Sequence, residues 1–284
     1  MNDGELIRRL RKARGLTQAQ LSKDISSRSA LASFELHNTG LPVQQFIAYC
    51  DRLNISLEEY EFLMNDHHLS TKRKRASLVS RGYAQPYDPA ITHQLLSDYH
   101  VYHDYFFYSL YAQYYLVCGY RAQQKRLNPE WYSKIIAKDI KESITLYLER
   151  IDTWDRFELV LFYNCLFVFD EEYIRVKFNR CVQKMKQFTD NSNYSQDILN
   201  FLINGIQLAI DRHDQKNFQL FYRELQDTSV IYNDISLKLH VKVYRTIIAA
   251  RQGIDVTDTI HELSTALNCC EATELQSFLE QQLN

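Results

Sequence analysis

Residues 10–35 read LRKARGLTQAQLSKDISSRSALASFE, and their apolar spacing sets three short helices in a row. Leu6, Leu10 and Ala13 share one face of a helix from about Gly4 to Arg14, which Gly15 stops. Thr17 is placed to cap a second helix, Gln18 to about Ile25, where Leu21 and Ile25 recur at i, i+4 and can pack on the first. Ser26 and Ser27 form the turn and cap a third helix, about Arg28 to Leu36, with Leu31 and Phe34 facing inward. After the polar H-N-T-G-L-P break, Phe46, Cys50 and Leu53 mark a fourth helix, and Ser56 with Glu59 has the form of a capping box opening a fifth.

The rest of the chain extends this helical reading. Of 284 residues, 45% are hydrophobic and 13% aromatic, with only 7 Gly and 4 Pro. That is too rich in packing side chains for disorder and too poor in turn formers for a many-stranded β fold. Phosphate-cradling loops are excluded as well, since neither G-x-G-x-x-G nor G-x-x-x-x-G-K-[ST] occurs. The start MNDGELIRRL lacks an apolar h-region, and no stretch approaches the roughly 18 uncharged residues of a membrane span; a cytoplasmic protein without membrane contact is expected. Cys50, Cys118, Cys165, Cys181, Cys269 and Cys270 form no C-x-x-C pair and read as reduced thiols. His67 and His68 fall in a polar stretch and His93, His100 and His103 among tyrosines, without ligand spacing, so no metal or cofactor is expected. No nucleophile elbow or metal motif organises the carboxylates, serines and histidines into a catalytic geometry, and an enzyme is not expected.

Charge is uneven. Residues 1–75 hold 12 Lys and Arg against 9 Asp and Glu, and the cations cluster at Arg8, Arg9, Arg11, Lys12 and Arg14 and again from Lys72 to Arg75. Such a local positive footprint suits a phosphate-binding surface, although a basic helix face is also an ordinary solvated one.

The expected fold is all-α, with a five-helix head over residues 1–65, a linker over 66–85, and a helical repeat domain over 86–284. From about Ile91 the sequence reads as successive amphipathic helices, with breaks near 125–129, 152–153, 190–193, 211–214, 227–233 and 253–255. Their pairing suggests a right-handed superhelical array of tetratricopeptide-like helix pairs, though the strict W-x-x-L-G-x-x-Y signature is absent. Such stacks leave a concave groove that can seat an extended peptide.

Residues 10–35, followed by a loop and FIAYCDRLNISLEEY, resemble the five-helix DNA-binding domain of the XRE/Cro family: the G-L-T-Q opening, the Leu21 and Ile25 spacing and the F-E ending occur together in order. The resemblance implies a helix-turn-helix whose third helix enters the major groove of double-stranded promoter DNA, its back committed to Leu31 and Phe34. On that basis Ser27, Arg28, Ser29 and Ser33 approach DNA, with Arg28 suited either to guanine O6 and N7 or to a phosphate. Gln18 would bond a phosphate at the start of the second helix, and Arg11 and Arg14 would supply charge.

Residues 151–170, IDTWDRFELVLFYNCLFVFD, resemble the middle of the Rgg/GadR/MutR regulators, RRNPP-like quorum-sensing proteins in which W-x-x-[FY]-E-L and a later N-x-L-F lie along one helix. In that family the third helix of the head often ends S-R-F-E; here Ala32-Ser33-Phe34-Glu35 lacks the basic side chain, so the operator cannot be carried over. The resemblance implies a cytoplasmic homodimer that regulates transcription and answers a short hydrophobic signalling peptide, its dimerisation and sensing in the repeat domain. Asn satisfies peptide N–H and C=O together, which singles out Asn164 and Asn204 in apolar helices; Arg150 could meet a ligand carboxylate, and Trp154, Tyr232 or Tyr244 could wall pockets. Each has an internal-packing alternative. Cys50, on the fourth helix, could form an intersubunit disulfide or be a buried thiol. A second reading keeps DNA binding but replaces the peptide with a protein partner or stress cue.

Overall fold

The structure, a computed structural model, describes residues 1–188, 192–232 and 234–283, and the side chains of all these except 192–195 and 232. The described residues form helices and no strand: α1 (Asp3–Ala13), α2 (Gln18–Ser22), α3 (Arg28–His37), α4 (Val43–Arg52), α5 (Leu57–Met64), α6 (Thr71–Gly82), α7 (Pro89–Tyr102), α8 (Tyr105–Gln124), α9 (Lys134–Arg150), α10 (Arg156–Asn164), α11 (Glu171–Lys186), α12 (Ser192–Asp211), α13 (Gln215–Tyr232), α14 (Ile235–Arg251), α15 (Thr257–Cys269) and α16 (Thr273–Leu283), with a 3₁₀ turn at Leu166–Val168. They divide into two compact units, Met1–Tyr111 and Ala112–Asn284.

In the first unit α1 to α5 close around Leu6, Ile7, Leu10, Leu21, Leu31, Phe34, Tyr49 and Leu53, with Leu16, Ile25 and Phe46 packed at its edge. Local chemistry sets the entries. Thr17 and Gln20 form a reciprocal box, the Thr17 hydroxyl accepting from the Gln20 N–H at 3.2 Å and the Gln20 side chain accepting from the Thr17 N–H at 2.7 Å. Ser56 accepts from the Glu59 N–H at 3.0 Å, which satisfies one of the donors that every helix start leaves open. The second helix ends at Ser22 rather than near Ile25, because the chain turns there and Asp24 takes φ +62°. Arg52 closes that end by donating to the carbonyl of Leu21 at 3.0 Å and to that of Lys23. A left-handed residue with a β-carbon is held at a cost, so Asp24→Gly should stabilise the head by about 0.5–1 kcal/mol, read as a rise in its urea midpoint.

The stretch 66–85, expected as a linker, contains α6, which packs on α7 within the first compact unit. Three of the four cations in its basic run are used internally: Lys72 pairs with Asp104, Arg73 with Glu58 and Glu61, and Arg75 with the buried Asp98.

In the second unit each helix from α11 to α16 packs on its successor, while α10 also meets α12 and α14 meets α16. This two-row stacking of helix pairs is the tetratricopeptide-like arrangement. Phe178, Phe201 and Phe221 form its aromatic centre, with ring centroids 4.8–5.8 Å apart. Polar ties fix the register. Arg156 and the Tyr163 hydroxyl both donate to the buried Asp197 carboxylate, at 2.7 and 3.0 Å, joining α10 to α12. Arg212 donates to the carbonyls of Phe167 and Phe169 at 2.6 and 2.7 Å, satisfying backbone acceptors beside the 3₁₀ turn.

Two expected features differ. The break expected near 227–233 comes only after Tyr232, because the Thr228 hydroxyl donates to the Glu224 side chain and the Ser229 hydroxyl to the Gln226 carbonyl, so neither competes with the helix backbone for its N–H groups. The motif expected along one helix is instead divided, with Trp154 ahead of α10 and Asn164 closing it before the 3₁₀ turn. The expected break at 190–193 lies partly outside the described residues, α12 beginning at Ser192.

Candidate nucleic-acid interface and ligand groove

The front of the head is built on α3. Leu31 is fully buried and Phe34 nearly so, which leaves the opposite edge of the helix to solvent. Arg28 and Ser29 are exposed in its first turn and Ser33 is half-buried one turn on. Ser27 caps the helix, its hydroxyl accepting from the Ala30 N–H at 3.1 Å and lying 3.0 Å from the Ser29 hydroxyl. Ser26 sets the entry angle through a 2.5 Å hydrogen bond with the Tyr49 hydroxyl. Ser27, Arg28, Ser29 and Ser33 therefore share one polar edge; Arg14 is exposed at the end of α1.

Arg11 does not belong with them. Its guanidinium is buried and forked onto Glu35, with N–O distances of 2.5 and 2.8 Å, and its remaining donor reaches the Leu16 carbonyl at 2.6 Å. With each of its three guanidinium nitrogens bonded inward, Arg11 holds α1 to α3 and is corrected from a charge-supplying position to a structural one. Gln18 is tied to the same group, donating to Glu35 at 3.0 Å, so its side chain orients the start of α2. Burial disfavours the Glu35 carboxylate, yet hydrogen bonds from Arg11 and Gln18, with the charges of Arg11 and Arg8, outweigh it and hold the group below the usual carboxylate range.

Cys50 is 2% exposed on the inner face of α4, and burial pushes its thiol up. Of the two alternatives for Cys50, that burial favours the buried thiol over the intersubunit disulfide. Of the cysteines, Cys269 and Cys270 are exposed.

In the second unit Asn164 and Asn204 both tie α10 to a neighbouring helix. Asn164 donates to the Gln113 side chain at 2.8 Å, and Asn204 donates to the Tyr163 carbonyl at 3.3 Å, both partly open to solvent. Gln113 of α8 and Asn164 of α10 thus pair side chain to side chain, while Asn204 of α12 bonds the backbone carbonyl of the residue before Asn164. Sequence reading missed Gln113, although a lone amide in the aromatic run FFYSLYAQYYL carries the same signal that singled out the asparagines. Arg150 is exposed at the last residue of α9. Trp154 and Tyr244 are each 1% exposed. The Trp154 indole N–H donates to the Leu148 carbonyl at 3.1 Å, and the Tyr244 ring packs against Phe278. Both are core rather than pocket wall, since neither has a face free for a ligand. The side chain of Tyr232 lies outside the described residues.

A short capped helix, a turn and a second helix with a polar outer edge and an apolar back define a helix-turn-helix head, and the helix-turn-helix family model matches residues 7–60. The model for the C-terminal domain of HTH-type transcriptional regulator Rgg matches residues 93–281, more than half of the chain, and the chain belongs to that family of transcriptional regulators. Similar solved structures span nearly its whole length. A Listeria monocytogenes EGD-e protein described as "a putative transcriptional regulator" has a TM-score of 0.75 at 18% identity, covering 98% of this chain and 93% of its own. The Streptococcus dysgalactiae SHP pheromone receptor Rgg2 gives 0.65 at 17%, covering 98% and 97%. The PrgX/cCF10 complex gives 0.68 at 15%, covering 99% and 98%. No helix among the described residues is long and apolar enough to cross a membrane.

Proposed function

We propose that this regulator is a cytoplasmic homodimer whose residues 1–65 bind promoter DNA and whose residues 86–284 dimerise and sense a short hydrophobic peptide. The observation that supports sensing is the placing of two partly exposed asparagines, Asn164 paired with Gln113 and Asn204 on the Tyr163 carbonyl, along the packed helices α10 and α12. The partly exposed Asn164 and Asn204 amides can exchange their present hydrogen bonds for those of a peptide backbone, with the buried Gln113 standing beside Asn164. Rgg2 is a pheromone receptor by its own description, and PrgX was solved with cCF10; both share this fold. Arg150, exposed nearby in sequence, is the cation proposed for a ligand carboxylate. The test is fluorescence polarisation with a labelled panel of short hydrophobic peptides, with and without promoter DNA. The Asn164→Ala, Asn204→Ala double variant should bind the selected peptide about tenfold or more weakly, at roughly 0.5–1.5 kcal/mol per hydrogen bond lost. Unchanged affinity would remove the assignment.

For DNA, Arg28 is proposed to read a base, Ser27, Ser29 and Ser33 to line the groove, Arg14 to meet phosphate, and Gln18 to set the start of α2 against the backbone. Arg28→Ala should cost about 1–3 kcal/mol at one base position; a binding-site scan in which every position keeps its discrimination would turn Arg28 into a phosphate contact.

A further inference from the structure

The second unit holds a cleft of about 450 Å³ between α8, α9 and the 3₁₀ turn, and none of the three amides lines it. Its floor is apolar and braced. Tyr120 and Phe167 stack with centroids 4.3 Å apart and an interplanar angle of 19°, and the Tyr120 hydroxyl donates to Asp211 at 3.0 Å. Arg212 fixes Phe167 through its carbonyl at 2.6 Å. On the other side Tyr132 lies flat on α8 because Gly119 has no β-carbon, which would stand 2.0 Å from the ring, and Tyr115 accepts from the Ser133 N–H at 2.7 Å to pin that loop.

The rim has one sign of charge. Lys134, Lys138 and Lys141 fall at i, i+4 and i+7, on one face of α9, and all three line the cleft. Lys138 has Glu142 at 3.8 Å, a loose exposed pair. Lys134 and Lys141 have no carboxylate within ion-pairing distance among the described residues. Three ammonium groups over a rigid aromatic floor, in a cavity the size of small-molecule sites, match an anion carried on an apolar body.

We propose that this cleft is a second ligand site of the regulator, separate from those amides, and that it takes a small amphipathic organic anion: a carboxylate, sulfonate or phosphate on an aromatic or aliphatic body. The proposal stands independently of peptide sensing. The probe is 8-anilino-1-naphthalenesulfonate, titrated into the full-length protein by fluorescence, beside the uncharged N-phenyl-1-naphthylamine. Saturable binding of the sulfonate that weakens with added salt and exceeds that of the uncharged analogue is expected. Lys134→Glu with Lys141→Glu should weaken it about tenfold or more, while Lys216→Glu, an exposed charge reversal on α13, should not. Equal binding of the two probes, salt-independent binding, or unchanged affinity in the double variant overturns the proposal. If the charge reversal fails to fold, Lys134→Gln with Lys141→Gln is read in its place, and the comparison of the two probes on the wild-type protein decides in either case.

Discussion

Glu35→Ala should unfold the DNA-binding head while leaving the second unit helical. The substitution strands the Arg11 guanidinium, buried between α1 and α3, and frees the Gln18 amide that shares the same carboxylate. Removing one partner of a buried ion pair costs about 3–5 kcal/mol, a large share of what a domain of this size holds in reserve. Thermal unfolding followed by circular dichroism should gain a separate early transition, and promoter binding should disappear with it. Glu35→Gln retains one acceptor and should lose less. The same carboxylate gives the head an acid limit. Its folded-state pKa lies below the usual value, so its stabilisation is complete above the ordinary carboxylate range and disappears as pH falls through the depressed value. Wild type should therefore lose head stability on acidification more steeply than Glu35→Gln.

Gly205→Leu should be the most damaging change in the repeat domain. A β-carbon on Gly205 would stand 2.1 Å from the Phe221 ring, and that ring is fully buried between Phe178 and Phe201. With no direction in which to yield, α12 and α13 must separate. Overpacking of this kind costs about 1–3 kcal/mol per site and more where the backbone has to move, so the second unit's melting temperature should fall by several degrees. Phe221→Leu in the same chain should recover part of the loss by making room, and a double variant no more stable than Gly205→Leu alone would show that this ring is not the obstacle.

The parts of the molecule that were legible in the sequence are those whose cause is local. Thr17 and Gln20 stand three apart, Leu31 and Phe34 share a helical face, and a capped turn joins them, so the head could be read from its order of elements. The Arg11–Glu35 pair could not: the partners are 24 residues apart, and an arginine on a basic helix looks the same whether it faces solvent or a buried carboxylate. The same ambiguity hid the character of Trp154 and Tyr244, because an aromatic at helical spacing fits a core and a groove wall equally. Asn164 and Asn204 were legible as polar residues in apolar helices, yet their partners, the Gln113 side chain and the Tyr163 carbonyl, depend on how α8, α10 and α12 pack, which no spacing along the chain encodes. Polar residues near 227–229 suggested a break only because their hydroxyls were free to serve either the helix or a turn.

The ion pairs of α6 bear on the thermodynamics of operator binding. Each protein cation that replaces a condensed counterion on the duplex steepens the fall of log K with log salt concentration by about 0.9. Lys72, Arg73 and Arg75 are already neutralised within their own unit and release few such counterions. The salt dependence of operator binding then rests on the exposed cations of the head that stand in no such ion pair, Arg14 and Arg28 among them.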